Sequence, residues 1–310
     1  MAISKAQPVR TGVVDRSTLV VAFLIYGGWI ALTLLATRMP LWAVVPLGGW
    51  LIAWHGSLQH ETIHGHPTPW RWVNRSLGFL PLNLWLPYAR YEQLHLAHHR
   101  TEGLTVPGLD PETRYLSPAS GPLARVIAQT TATLAGRLVL GPPIEIGTFL
   151  ASETRAFAND EPGVRRAWAM HVAGAAAVCI WLHWACRLSL AEYLLAFVYP
   201  GAALSLLRSF AEHRADHDPE RRVAIVEAAP IFGLLFLNNN LHAVHHAYPS
   251  APWRRLPTLY AEHREALLQA NGGLVYRGYA EVARRFLLRP HDVLVHPEPA
   301  VLASLDQESS

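Results

Sequence analysis

Four apolar stretches bound what this chain can fold into. Residues 18–37, 41–58, 167–185 and 188–207 contain a single charged side chain between them, Glu192. Stretches of about 18–20 residues rise roughly 30 Å as α-helix, the thickness of a bilayer's hydrocarbon core. In that medium backbone polar groups must be paired within the segment, so each stretch is expected to be a helix. The first stretch could instead be read as a signal peptide. Its apolar run exceeds the usual core of about 7–15 residues, and no small-residue cleavage site follows it, so it is read as a span. The expected fold class is therefore all-α and integral to a membrane, with four transmembrane helices.

Composition agrees. Hydrophobic residues make up 51% and charged residues 16% of the chain, against about 45–50% and about 25% in soluble domains. The net charge of +3 is small and forms no basic stripe with aromatics, which argues against nucleic acid as a partner. Of the 26 Lys and Arg residues, all but Arg38 and Arg187 lie outside the two short loops that follow the first and third spans. By the positive-inside rule both termini and the central loop are expected in the cytoplasm. The expected organisation is a cytoplasmic N-terminus (1–16), a membrane domain (17–260) and a cytoplasmic C-terminal segment (261–310). One Lys against 25 Arg points to a GC-rich bacterial genome, hence the bacterial inner membrane.

Shorter apolar runs interrupt the central loop. Residues 76–88 carry Pro81, Asn83 and Pro87 and read as an interfacial or re-entrant piece. Residues 126–140 are too polar for a span, and Glu227 and Pro230 break 223–237. Beyond Pro249, residues 257–270 and 278–288 read as helices, the first stopped by Asn271-Gly272-Gly273. The only cysteines, Cys179 and Cys186, would stand about 10 Å apart along one helix, too far for a disulfide. They offer no metal-binding cysteine pair.

Seventeen histidines are the second constraint. Three clusters stand out: His60-Glu61-Thr62-Ile63-His64, His95-Leu96-Ala97-His98-His99 and His242-Ala243-Val244-His245-His246. Residues i, i+3 and i+4 share one helix face, so each cluster aims its imidazoles one way. At this histidine content one H-x-x-H-H is expected by chance roughly 0.05 times, and here there are two. Neutral imidazole ligates Fe, Zn, Cu and Ni. The four-span topology places all three clusters on one side of the membrane. Eight clustered histidines suit two metal ions better than one.

These residues resemble the membrane fatty acid desaturase superfamily, whose pattern is H-x-x-x-H followed by two H-x-x-H-H boxes around two pairs of spans. Further matches are His64-Gly65-His66-Pro67, Arg208 to Arg214, Asn238-Asn239-Asn240-Leu241 and Tyr248-Pro249. The resemblance covers about residues 20–260. It implies a cytoplasmic helical cap holding a histidine-ligated dimetal site of two non-haem irons, with O2 as co-substrate. The metal ligands would be His60, His64, His95, His98, His99, His242, His245 and His246. The family usually has one more ligand between the last span and the third box, and His213 is the residue expected there, oriented by Glu212. His217 is the competitor, though Asp216 and Asp218 mark a solvated face. Asn238 and Asn239 read either as a water-mediated metal contact or as a helix cap. Glu61 and Asp110 are candidates to accept the second ring N–H of a ligating histidine, or are plain acids. His55 reads as a packed core residue. His66, His171, His183, His263, His291 and His296 carry no cluster.

The implied reaction is oxygen-dependent desaturation of a fatty acyl lipid; hydroxylation or ketolation by the same superfamily is the alternative. The acyl tail is expected in an apolar tunnel near Trp54, Trp85 and Leu86. A separate donor of ferredoxin or cytochrome type, with its reductase, is expected, because no His-Pro-Gly-Gly haem signature or cysteine cluster is present. Two rivals come from other classes. The first box is also H-E-x-x-H, the zinc protease motif with Glu61 as general base, but one zinc takes about three protein ligands. A metal transporter would place its ligands at mid-membrane depth.

Overall fold

The computed structural model describes residues 14–298, whose regular structure is almost all helix. Helix α1 (Arg16–Leu35) starts at Asp15, whose carboxylate accepts the Ser17 N–H at 3.0 Å. That capping contact satisfies one of the helix's free N-terminal donors. A short 3-10 turn, Ala36–Arg38, ends this first span, and α2 (Leu41–Ile63) returns. Val21, Ile25, Trp29 and Leu32 of α1 are buried at helical spacing, whereas Val20, Phe23, Leu24 and Ile30 are exposed. A helix that is apolar on both its packed and its open faces is what a bilayer requires.

The cap begins with α3 (Arg71–Phe79) and α4 (Tyr88–Arg100), followed by α5 (Pro122–Thr131), α6 (Leu134–Val139) and α7 (Gly141–Ala158). The third span is α8 (Val164–Ile180), extended by a π-helical stretch, Trp181–Ala185. The fourth is α9 (Leu190–Tyr193), a second π-helical stretch at Leu194–Val198, and α10 (Tyr199–Phe210). The second π-helical stretch lies just before Pro200-Gly201. Pro200 has no N–H to donate to the carbonyl of Ala196, and the preceding turn widens. Four helices, Arg16–Arg38, Leu41–Ile63, Val164–Ala185 and Leu190–Phe210, are thus long and apolar enough to cross a membrane.

The second and fourth spans meet through glycine. A Cβ on Gly49 would lie 2.8 Å from Pro200 Cβ, and one on Gly201 would lie 2.5 Å from Ile52 Cβ. Small residues at such crossings let helix backbones approach where no hydrophobic drive exists between helices. Replacing Gly201 by Val should push these helices apart and cost about 1–3 kcal/mol of stability. Thermal unfolding in detergent would reveal it; an unchanged melting temperature would mean that the contact is slack. Trp29 donates to the Tyr193 hydroxyl (2.9 Å), which donates to the Leu82 carbonyl (2.7 Å). The first and fourth spans are thereby tied to the loop after α3.

After α10 the chain adds β1 (Ile225–Val226), α11 (Pro230–Leu235), α12 (His242–Ala247), α13 (Leu256–Ala270), β2 (Val275–Tyr276) and α14 (Tyr279–Phe286). The two short strands pair in parallel. The segment 223–237, read from the sequence as one broken apolar run, is β1 plus α11. Residues 76–88 are the end of α3, a loop and the first residue of α4. Trp54 is buried beside Trp50, and Trp85 packs edge-on to Phe149 at 5.3 Å. Cys179 and Cys186 are both free.

One buried ion pair fixes α4 in the cap. The Arg90 guanidinium donates to both carboxylate oxygens of Glu153 on α7 at 2.8–3.0 Å, and Trp168 on α8 donates to the same group at 2.9 Å. Arg90 and Glu153 are each at most 4% exposed. Removing either partner would strand a buried charge, so α4 is locked against α7 and α8.

Candidate metal centre

The three histidine boxes arrive on different elements. The last turn of α2 carries His60, and His64 is its C-cap. Helix α2 therefore continues beyond Leu58, and the first box is the C-terminal end of the second span. Helix α4 carries His95, His98 and His99; α12 carries His242, His245 and His246. His213 follows the fourth span. Helix α10 ends at Phe210, and His213 is extended, bridged antiparallel to Val223. The Ala224 N–H donates to the Glu212 carbonyl at 2.8 Å, and the Arg214 N–H to the Arg222 carbonyl at 3.1 Å. Tertiary pairing here overrides helix continuation.

The nine histidines form two groups. His60, His64, His95, His99 and His245 bring one ring nitrogen each within 4.8 Å of one another; so do His98, His213, His242 and His246. In the first group Nε2 of His64 and of His95 are 3.0 Å apart, those of His95 and His99 3.1 Å, and those of His99 and His245 2.9 Å. In the second, Nε2 of His242 lies 3.0 Å from that of His213 and 3.1 Å from that of His246. The rings of His99 and His246 stack at 4.5 Å and join the two groups.

The outer ring nitrogens face acceptors. His95 Nδ1 lies 2.9 Å from Glu112 Oε1, and His98 Nδ1 lies 2.8 Å from Asp110 Oδ1. His213 Nδ1 is 3.2 Å from the Arg222 carbonyl, and His242 Nδ1 is 3.2 Å from Asn239 Oδ1. A carbonyl or carboxylate opposite Nδ1 makes that nitrogen the donor, leaving the Nε2 lone pair directed into the group. Burial, and then the neighbouring histidines, hold His64, His99, His242, His245 and His246 well below the ordinary imidazole range. For His213 the direction is also down, through burial and then His98. These imidazoles are neutral, the form that ligates metal.

A metal ion fits this arrangement. Two neutral Nε2 lone pairs facing each other repel. A ligated imidazole nitrogen sits about 2.0–2.1 Å from its ion, so two at right angles are about 3.0 Å apart and two at the tetrahedral angle about 3.4 Å. The separations of 2.9–3.1 Å match the right angle. Nε2 of His60 and Nε2 of His98, one in each group, are buried with no hydrogen-bond partner. An unpaired buried nitrogen is costly unless something else satisfies it.

Several residues sit elsewhere than the sequence suggests. Glu61 is buried, but its carboxylate accepts the Trp253 N–H at 3.1 Å. It reaches no box histidine, because the turn of α2 that carries it faces the 250s loop. That position also removes it as the general base of an H-E-x-x-H protease. Glu212 does not orient His213. Its carboxylate pairs with Arg208 at 2.9 Å and lies 3.4 Å from His242 Nδ1. Asn239 faces His242 and donates to Glu212 at 3.3 Å, whereas Asn238 donates to the Trp253 carbonyl. Glu112 and Arg222 were not singled out in the sequence; Glu112 lies in the same acidic turn as Asp110, which was the available signal. Asp110 is placed as expected of an acceptor for a box histidine. His217 joins neither group. His55 contacts the Tyr26 hydroxyl at 3.3 Å, within the membrane bundle. His66, His171 and His291 pair with Ser250, Leu84 and Tyr276 respectively.

The protein is a helical membrane protein with four candidate spans and two adjoining histidine groups that could hold metal, gathered where its second and fourth spans end. The family model described as fatty acid desaturase matches residues 36–279. The chain belongs to the fatty acid desaturase family, within which desaturases and related hydroxylases fall. A comparison with curated proteins returns no match.

Proposed function

We propose that this protein is an oxygen-dependent fatty acyl desaturase of the bacterial inner membrane, with two non-haem irons and both termini in the cytoplasm. The observation that carries the reading is the division of nine histidines into groups of five and four, with Nε2 atoms 2.9–3.1 Å apart. The first group would hold one iron and the second the other. Bound iron with O2 supplies an oxidant strong enough to remove hydrogen from an unactivated C–H bond. The protein's own share is positioning. Asp110, Glu112, Asn239 and the Arg222 carbonyl hold four rings by their Nδ1 atoms, and burial of the imidazoles keeps bulk water from the site. The acyl tail enters from the apolar bundle beneath. Each turnover takes two electrons, which a ferredoxin or cytochrome with its reductase delivers from outside this chain.

Mass spectrometry of lipids from cells expressing the protein tests the reaction, with a His98→Ala strain as control. Acyl chains two hydrogens lighter than their parents, absent from the control, are expected. Products one oxygen heavier would replace desaturation by hydroxylation. A second expectation concerns the support of His98. Asp110→Ala should weaken metal retention about 10–100-fold, the usual effect of removing an outer hydrogen-bond partner of a ligand. Chelator competition on purified protein reads this directly, and parent-like retention would show that Asp110 is not coupled to the site.

A further inference from the structure

The C-terminal stretch 287–298 lies beyond the residues matched by the family model, yet it is strapped across the cap. The Leu116 N–H donates to the Leu294 carbonyl and the His296 N–H to the Leu116 carbonyl, each at 2.9 Å. The strap ends in two side chains that reach the supports of the four-histidine group. His296 is 2% exposed. Its Nδ1 accepts the Glu298 N–H at 3.0 Å, so its Nε2 carries the proton and donates to Thr105 Oγ1 at 3.0 Å.

Thr105 is the telling residue. Its φ is +68°, a left-handed conformation that is a genuine outlier for a β-branched residue. Such strain persists only where surrounding contacts over-determine it. Here there are three. The hydroxyl receives His296, the carbonyl receives the Thr113 hydroxyl at 2.5 Å, and the N–H donates to Asp110 Oδ2 at 2.8 Å. The other oxygen of Asp110 faces His98 Nδ1. In parallel, Glu298 pairs with the Arg222 guanidinium at 2.5 Å, and the Arg222 carbonyl faces His213 Nδ1. Arg222 is fully buried, and a further N–H of its guanidinium donates to the Leu104 carbonyl at 2.8 Å. Two of the four histidines in the second group are thus braced by the last described turn of the chain, His98 through Thr105 and Asp110 and His213 through Arg222. The route from the strap to the five-histidine group is one contact longer: the Glu112 N–H donates to Asp110 Oδ1 at 2.9 Å, and the Glu112 carboxylate faces His95 Nδ1.

We propose that the strap is a positioning element chiefly for the four-histidine group, which it reaches by the shorter routes: His296 holds Thr105 in its left-handed conformation so that Asp110 stays aimed at His98, and Glu298 holds Arg222 beneath His213. This rests on the dimetal reading above. His296 and Glu298 are positioning residues and do not touch the reacting atoms.

The test compares His296→Ala, His296→Gln and the parent as purified, iron-loaded protein in detergent. Gln retains an N–H that reaches Thr105; Ala does not. Iron per chain is measured before and after chelator challenge, together with thermal unfolding of the metal-free forms. His296→Ala should lose its more labile iron about 10-fold faster than the parent, the lower end expected for outer partners of a ligand. It should settle near one iron per chain, with metal-free unfolding unchanged, and His296→Gln should recover most of the retention. Glu298→Gln, on an independent contact, should shift retention in the same direction. Parent-like retention in His296→Ala overturns the proposal. Loss of both irons together overturns it too, as does a metal-free form destabilised in proportion to the loss, since either would mark a merely structural strap. If the parent itself binds fewer than two irons, the dimetal reading fails instead, and that is seen before any variant is compared.

Discussion

Replacing His245 by Ala should leave no detectable desaturated product and strip iron from the five-histidine group. His245 is the third box's contribution to a site otherwise built from the first two boxes. Its Nε2 lies 2.9 Å from that of His99, and its ring centroid is 4.6 Å from those of both His60 and His64. Loss of an outer partner of a ligand costs about 10–100-fold in metal affinity or activity, and loss of a ligand should cost more. Glu112, the carboxylate beside this group, is already turned to His95 Nδ1 on the far side of its ring. Protein of matched expression, assayed for iron and for product with its electron donor, gives the answer. Substantial turnover in His245→Ala would mean that the third box serves the fold and not the chemistry.

The second large effect separates His213 from His217. His213 Nε2 lies 3.0 Å from His242 Nε2, and its ring is 5.0 Å from that of His98 and 5.2 Å from that of His246. His217 is four residues on, in a loop whose backbone carbonyl accepts from Arg222, and it belongs to neither group. His213→Ala should therefore lose iron and activity as severely as a box variant. His217→Ala should keep near-parent values of both. Full iron and near-normal turnover in His213→Ala would leave eight histidines holding the metals. Severe loss in His217→Ala would relocate the ninth ligand.

The parts legible in the sequence are those governed by local rules. Span length and charge distribution expose the four membrane helices, and the i, i+3, i+4 spacing exposes the boxes. What escaped depends on tertiary pairing. Helix α7 opens with Gly141-Pro142-Pro143, where Pro in a first turn only replaces N–H groups that have no helical partner. His213 was legible as a ninth candidate, but its extended backbone was not. Its bridge to Val223 joins residues separated by a loop, and no local periodicity records that pairing. The acids show the same division. Asp110 and Glu112 reach His98 and His95 because the loop after α4 folds back over that helix. Glu61, although inside a box, faces the wrong way on α2. Being near a ligand in sequence therefore predicts contact poorly, whereas spacing on a single helix predicts it well.

The central claim is that the two histidine groups hold two irons, and metal analysis of the purified protein against its amino-acid content tests it most directly. Close to two iron per chain with little zinc is the predicted result. One zinc per chain and no iron would contradict it.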